Sequence, residues 1–142
     1  MAIDNFYREI FFINLDLELY SKEDLTLLHD ELKDRVFILH NGFIKVEGEK
    51  YYLLSLESNL DYDYLNSSDA IDKLTLNLCE LITKLSPESR QLWDNCYQKI
   101  FNYGYESGVK PFPFSNQLFA DTIKKIASLD GSVKITIYPM KD

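Results

Sequence analysis

Apolar and polar side chains alternate near the start of the chain. Apolar residues occupy every second position from Phe11 to Leu19, and Asn14, Asp16 and Glu18 lie between them. A period of two is that of a strand with one buried face. We therefore predict a strand here whose solvent-facing side carries Asn14, Asp16 and Glu18.

Three further apolar runs, VFILH, FIKVE and KYYLLSLES, follow in close succession. They are joined by Asn41-Gly42 and by Gly48-Glu49. Asn-Gly between apolar runs is a strong hairpin signal, because both turn positions need positive φ. The pattern predicts three strands in an antiparallel meander.

Helical spacing of apolar positions occurs in four segments. The first contains Leu25, Leu28 and Leu32, and the second runs from Ala70 to Leu85. A short third helix is predicted to begin at Ser86-Pro87-Glu88, where serine caps the first turn and proline takes its first position. The fourth is predicted to end at Asp130-Gly131, with glycine in the left-handed conformation.

Strand spacing returns at Phe101–Tyr105 and at Val133–Ile137. The predicted order is β-α-β-β-β-α-α-β-α-β, in one domain spanning residues 1–142. Interleaved helices and hairpins indicate the α+β class: a two-layer sandwich whose mixed or mainly antiparallel sheet of about six strands has helices packed mainly on one face. The side chains expected to be buried between the layers are Ile71, Leu74, Leu78, Leu81, Ile82, Ile123, Ile126, Val133, Ile135 and Ile137.

The charge of the chain is unevenly distributed. The net charge is −8, and residues 1–72 contain 16 acidic against 6 basic residues, whereas residues 73–142 contain 7 against 9. Nucleic-acid binding needs a basic footprint, so we expect no nucleic-acid partner. No apolar run approaches the roughly 20 residues that cross a bilayer, so no membrane partner is expected. Cys79 and Cys96 are predicted to be reduced packing residues of a cytoplasmic protein.

One acidic stretch, ESNLDYDYLNSSDAID, contains no lysine or arginine. It is interpreted as a solvated loop that caps the second helix, as a calcium loop, or as a protein-docking patch. The calcium motif is incomplete at Leu65 and Asn66. In a docking patch, tyrosines would supply contact area and carboxylates long-range attraction. The candidate partner-binding residues are Glu57, Asp61, Tyr62, Asp63, Tyr64, Asp69 and Asp72.

The aromatic segment from Phe101 to Phe114 offers an alternative site. Its spacing is that of a strand followed by a proline-held turn into the last helix. A ligand-binding or peptide-binding module would instead use exposed faces of Tyr103, Tyr105, Phe112 and Phe114. That function would require a concave pocket lined by these aromatic residues.

Residue patterns for catalysis are sparse. His29 and His40 lack the spacing of a metal site, and the chain contains no glycine-rich phosphate loop and no Gly-x-Ser-x-Gly motif. Neither cysteine has the basic neighbours that favour a thiolate. We therefore expect no enzymatic activity, no catalytic residues, no metal and no cofactor.

The last part of the chain, about residues 86–139, resembles a family of small uncharacterised bacterial α+β domains. The matching features are Ser86-Pro87-Glu88, Leu92-Trp93, the aromatic and glycine run Tyr103–Gly108, residues 126–129, and Ile137-Tyr138-Pro139. Such domains occur around polymorphic-toxin loci, where small acidic proteins act as immunity factors. The resemblance implies an immunity-like protein with a protein partner, for which a basic toxin is one candidate. The resemblance implies no catalytic residues and does not indicate an oligomeric state.

Overall fold

The computed structural model describes residues 9–61, 69–109 and 113–140, which form five strands and four helices. The strands are β1 (Phe11–Ser21), β2 (Val36–Val46), β3 (Glu49–Ser58), β4 (Gln98–Glu106) and β5 (Ser132–Tyr138). The helices are α1 (Thr26–Leu32), α2 (Ala70–Thr83), α3 (Pro87–Asp94) and α4 (Ala120–Ser128). No helix among these residues is long and apolar enough to cross a bilayer.

The strands form one mixed sheet in the order β2-β3-β1-β4-β5. Three of the four strand pairs are antiparallel, and β4 and β5 are parallel. A parallel pair needs a crossover connection, and α4 provides it. The α+β class predicted from the sequence is therefore confirmed.

The core lies on one face of the sheet. Leu17 of β1 is in register with Leu56 on one side and with Phe101 on the other, and all three side chains are buried. The inward side chains of all four helices belong to the same hydrophobic cluster. The helices therefore form a single layer on that face.

The predicted sixth strand does not exist, because Asn41-Gly42 is not a turn. Both residues stay paired with β3, opposite Leu54 and Leu53, so the second and third predicted strands are one strand, β2. Neither residue has positive φ. The turn is made instead by Glu47 and Gly48, with φ of 51° and 84°, the left-handed pair that a two-residue hairpin needs.

The third helix begins as the sequence indicates. Ser86 Oγ accepts a hydrogen bond from Ser89 N, and Pro87 occupies the first turn. The carboxylate of Glu31 on α1 accepts further bonds from Ser86 N at 2.9 Å and from Ser89 Oγ at 2.9 Å. These bonds join α1 to the start of α3.

The end of α4 contacts side chains from α3 and β4. Trp93 is fully buried, and its Nε1 donates to the carbonyl oxygen of Leu129 at 3.0 Å. The left-handed residue is Asp130, with φ of 61°, not Gly131 as predicted. Glycine at 131 is required for space, because an added Cβ would lie 2.8 Å from the ring of Phe101.

The prediction of burial was wrong for four residues near the C terminus. Ile123 is 50% exposed, and Val133, Ile135 and Ile137 are 49%, 64% and 65% exposed. The alternation along β5 is real, but β5 is the last strand of the sheet, beyond the helices that cover its neighbours. The predicted residues of α2 do lie in or against the core.

We expect Leu78→Ala to lower the free energy of unfolding by about 2–5 kcal/mol, because it opens a cavity in a packed interior. Leu78 is 1% exposed on the buried face of α2. The matched control is Leu27→Ala on α1, where the leucine is half exposed. Denaturant melts of both variants measure the difference, and equal losses would contradict this packing.

Candidate protein-binding face

The second face of the sheet bears no helix among the described residues. Side chains alternate between the two faces of a strand, so the buried leucines of β1 place Asn14, Asp16, Glu18 and Tyr20 on this side. We refer to this side as the bare face. It includes the polar residues that the alternation in β1 predicted to face solvent.

Three carboxylates lie at neighbouring positions on the bare face. Asp16 of β1 is directly opposite Glu57 of β3, and Glu18 follows two residues along β1. We refer to Asp16, Glu18 and Glu57 as the carboxylate cluster. Asn14 Nδ2 donates to Asp16 Oδ1 at 3.1 Å, and Asn14 also hydrogen-bonds Glu57. Among the described residues, no lysine, arginine or histidine forms an ion pair with the cluster.

The carboxylate cluster is electrostatically unfavourable in the free protein. Partial burial, reinforced by the charges of Glu57 and Glu18, raises the pKa of Asp16 to about 6. Burial also raises the pKa of Glu57, although the hydrogen bond from Asn14 opposes this. Like charges directly opposite each other destabilise a sheet. A carboxylate with a perturbed pKa is a candidate functional residue.

A cleft of about 430 Å³ lies at one end of the bare face. Its lining includes Tyr20, Tyr51, Tyr97, Glu47 and Glu49, and we refer to it as the tyrosine cleft. The rings of Tyr51 and Tyr97 stack with centroids 5.8 Å apart. Tyrosine faces and carboxylates together attract cations.

Lys22 of the same chain contacts one wall of the tyrosine cleft. Lys22 Nζ lies 4.0 Å from the centroid of the Tyr51 ring and 3.0 Å from Glu49 Oε2. The wall formed by Tyr51 and Glu49 therefore binds an ammonium group within this fold. Tyr97, which stacks on Tyr51, is 68% exposed.

Of the residues predicted as a docking patch, the structure describes Glu57, Asp61, Asp69 and Asp72. Glu57 belongs to the carboxylate cluster, and Asp61 is exposed beyond the end of β3. Asp69 pairs with Lys73 at 3.4 Å. Asp72 is only 5% exposed, contrary to the expected accessibility, and its Oδ1 accepts a hydrogen bond from Phe119 N at 2.9 Å.

The remaining candidates of the acidic stretch, Tyr62, Asp63 and Tyr64, lie outside the described residues. Of the described carboxylates, Glu57 and Asp72 have different surroundings. Glu57 faces solvent from the sheet, whereas Asp72 connects the first turn of α2 to the start of α4. For Asp72 this geometry favours a structural role.

Among the candidates of the aromatic segment, Tyr103 and Tyr105 are packed, whereas Phe114 is 41% exposed. Tyr103 is buried, and its hydroxyl forms a hydrogen bond with Thr75 Oγ1 at 2.6 Å, an arrangement that favours a packing role for this ring. Tyr105 is half buried between Phe12 and Phe114, with ring centroids 5.6 and 5.9 Å away. Phe112 lies outside the described residues.

Other chemistry is weakly supported in the described part of the chain. No group of three histidines, cysteines or acidic residues there is arranged to hold a metal ion. Both cysteines are free and buried, and burial raises the pKa of Cys79 to about 11 and that of Cys96 to about 12. At neutral pH these thiols are protonated, which makes them poor nucleophiles.

Comparisons of the chain with protein-family models, curated proteins and solved structures found no match. These comparisons therefore assign neither a family nor a function to the chain.

Sequence reasoning did not identify the tyrosine cleft, because its three tyrosines come from three strand ends far apart in the chain. It placed Asp16 and Glu18 on a solvent face, and it selected Glu57 for a different reason. The signal that could have joined them is the strand register between Asp16 and Glu57, which only the structure provides.

We expect Asp16→Asn to raise the free energy of unfolding at pH 7.5 by about 1 kcal/mol, after allowing for solvent screening of a half-buried group. The pKa of Asp16 is about 6 in the folded protein against 3.8 for an unperturbed aspartate, so the folded state binds the proton more tightly. Stability from this group therefore rises as pH falls through 6 and is complete only below 3.8. Urea melts from pH 4 to pH 7.5 measure the free energy of unfolding of the wild type and of Asp16→Asn.

The substitution Asp34→Asn provides the control, because Asp34 is exposed and lies away from the bare face. The stability difference between the wild type and Asp16→Asn should shrink as pH falls from 7.5 to 4. A lower stability of Asp16→Asn at pH 7.5 would show that the carboxylate is favourable where it stands.

Proposed function

We propose that this chain is a non-enzymatic binding protein that docks its bare face onto a basic surface of a partner protein and neutralises that partner, as an immunity protein neutralises a toxin. The observation that carries the proposal is the carboxylate cluster. Asp16, Glu18 and Glu57 occupy adjacent positions without a compensating cation among the described residues.

A basic partner would supply the charge that the carboxylate cluster lacks. Its lysine or arginine side chains would favour the ionised form of Asp16 and lower its pKa from about 6. The same carboxylates would attract the partner before contact and speed association, an effect that salt weakens. Binding should therefore be faster at low ionic strength and weaker below pH 6.

The tyrosine cleft would supply contact area that charge alone does not. Tyrosine is enriched among the residues that dominate interface energies, and Tyr97 is exposed at the rim. Four residues of strand separate Asp16 from Tyr20, which is about 13 Å. The surface that fits is a strip of the partner with basic side chains spaced over this length.

A toxin that acts on nucleic acid is the partner class that this charge pattern favours. The active site of such an enzyme attracts phosphate, and an acidic face can compete for the same positive surface. This choice of partner also rests on the family resemblance of the last part of the chain. Co-expression of the chain with the product of the adjacent gene tests it by growth of the host cell.

We expect the double substitution Asp16→Asn with Glu57→Gln to slow association with such a partner about tenfold at low salt, because two steering charges are removed. The matched control is Asp34→Asn with Glu88→Gln, which removes two exposed charges, one between α1 and β2 and one on α3. Stopped-flow binding at two salt concentrations measures both, and the gap between the variants should narrow at high salt.

Growth rescue should fall in parallel for the variant of the carboxylate cluster and persist for the control. The proposal fails if the adjacent product is not toxic or is not neutralised by the wild-type chain. Equal rescue and equal association rates for the two double variants would show that the bare face is not the binding surface.

A further inference from the structure

The last strand of the sheet presents an uncovered apolar row. Val133 and Ile135 are in register with Phe101 and Tyr103 of β4, so they lie on the face that the helices cover elsewhere. Phe101 and Tyr103 are buried, whereas Val133, Ile135 and Ile137 are half exposed or more. Among the described residues, no strand pairs with the outer edge of β5.

Helix α4 adds two apolar side chains beside this row. Its buried side carries Thr122 and Ile126, and Lys125 lines a cleft shared with α2. At 100° per residue, Ile123 lies on the flank away from α2, which is the flank toward β5, and Phe119 directly precedes the first turn. Both are about half exposed. We refer to Phe119, Ile123, Val133, Ile135 and Ile137 as the apolar edge.

The features that usually protect an edge strand are missing from β5. Its register with β4 runs from Ser132 to Tyr138 without a bulge, and the first proline is Pro139. Its one charged side chain, Lys134, points to the bare face. The other edge strand, β2, is interrupted by a register shift between Ile38 and His40. A regular, apolar, unpaired edge is a template for pairing with another strand.

We propose that β5 pairs antiparallel with β5 of a second copy of this chain, about a two-fold axis at Ile135, which joins two sheets into one of ten strands. This register places Val133 opposite Ile137 and Lys134 opposite Thr136. An axis at Lys134 would oppose two like charges, and one at Thr136 would oppose Val133 to Pro139. Of these three registers, the one at Ile135 joins the apolar rows without a charge conflict or a proline.

The apolar edge carries little of the acidic excess of the chain. Each chain has a net charge of −8, so two copies repel at most orientations. Around the apolar edge, Lys124 and Lys134 balance Asp121 and Asp130. The carboxylate cluster lies on the opposite face of the sheet, so its charges do not enter the pairing surface.

In the dimer, α4 of both copies would cover the apolar row on the helical face of the sheet. Three strand spacings separate the two β4 strands across the joined sheets, which is about 14 Å. Ile126 and Phe101 both border Gly131, so α4 lies over β4. A helix with its side chains is about 10–12 Å wide, so Phe119 and Ile123 of both copies would meet over the paired β5 strands.

Light scattering on a sizing column tests the proposal with the full chain. The wild type should have twice the 16.7 kDa mass of the chain at high micromolar concentration. Ile135→Glu and Ile135→Lys should each be monomeric, because each places two like charges at the axis. An equimolar mixture of the two variants should regain the dimer mass, because the axis then pairs opposite charges.

The control is Leu39→Lys, which places a charge on the exposed part of β2 and should leave the dimer intact. Far-ultraviolet circular dichroism checks that each variant is folded. A monomeric wild type would overturn the proposal. So would glutamate and lysine variants that stay dimeric, or a mixture of them that stays monomeric.

Cross-linking gives a second test that leaves the surface uncharged. Ile135→Cys should form a disulfide with itself under mild oxidation, because opposed antiparallel residues have Cα atoms about 4.5–5.5 Å apart. Lys134→Cys should cross-link much less, because the two copies of that position lie diagonally, about 8 Å apart. Both native cysteines are buried and do not compete. Equal cross-linking at 134 and 135 would contradict the Ile135 axis.

Discussion

The alternation of side chains along β1 is the constraint on which the rest of the molecule depends. β1 is the central strand, so Leu15, Leu17 and Leu19 on one side form the floor under the helices. The same alternation presents Asp16 and Glu18 on the bare face. A slip of one residue in register would exchange the two sets. The core and the candidate binding face therefore rest on one strand and one register.

The sequence predicted elements well where two local signals agreed. The start of α3 combines a serine cap with a proline in the first turn, and the structure has both. The stripe on α2 is long enough to define its buried face without tertiary information. Asn41-Gly42 was misleading, because the signal for a hairpin turn depends on φ, and pairing with β3 on one side holds this dipeptide extended. At this dipeptide, the hydrogen-bonded pairing of β2 with β3 outweighs the local propensity for a turn.

Burial at the C terminus could not be read from periodicity for a different reason. The alternation of Val133, Ile135 and Ile137 reports that one face of β5 is apolar, but the position of a strand in the sheet decides whether that face is covered. Strand order depends on connections across the whole chain. The same limit applies to the candidate site, since Asp16 and Glu57 meet only through the pairing of β1 with β3.

The bond from Trp93 Nε1 to the carbonyl oxygen of Leu129 connects α3 to the end of α4. Trp93 is the single tryptophan of the chain. Its indole is fully buried, so its fluorescence emission belongs to one apolar environment with one hydrogen-bond partner. Displacement of α4 from the sheet would break that bond and admit water to the ring, shifting the emission to longer wavelength. The fluorescence of Trp93 therefore reports whether α4, the helix beside the apolar edge, stays packed on the sheet.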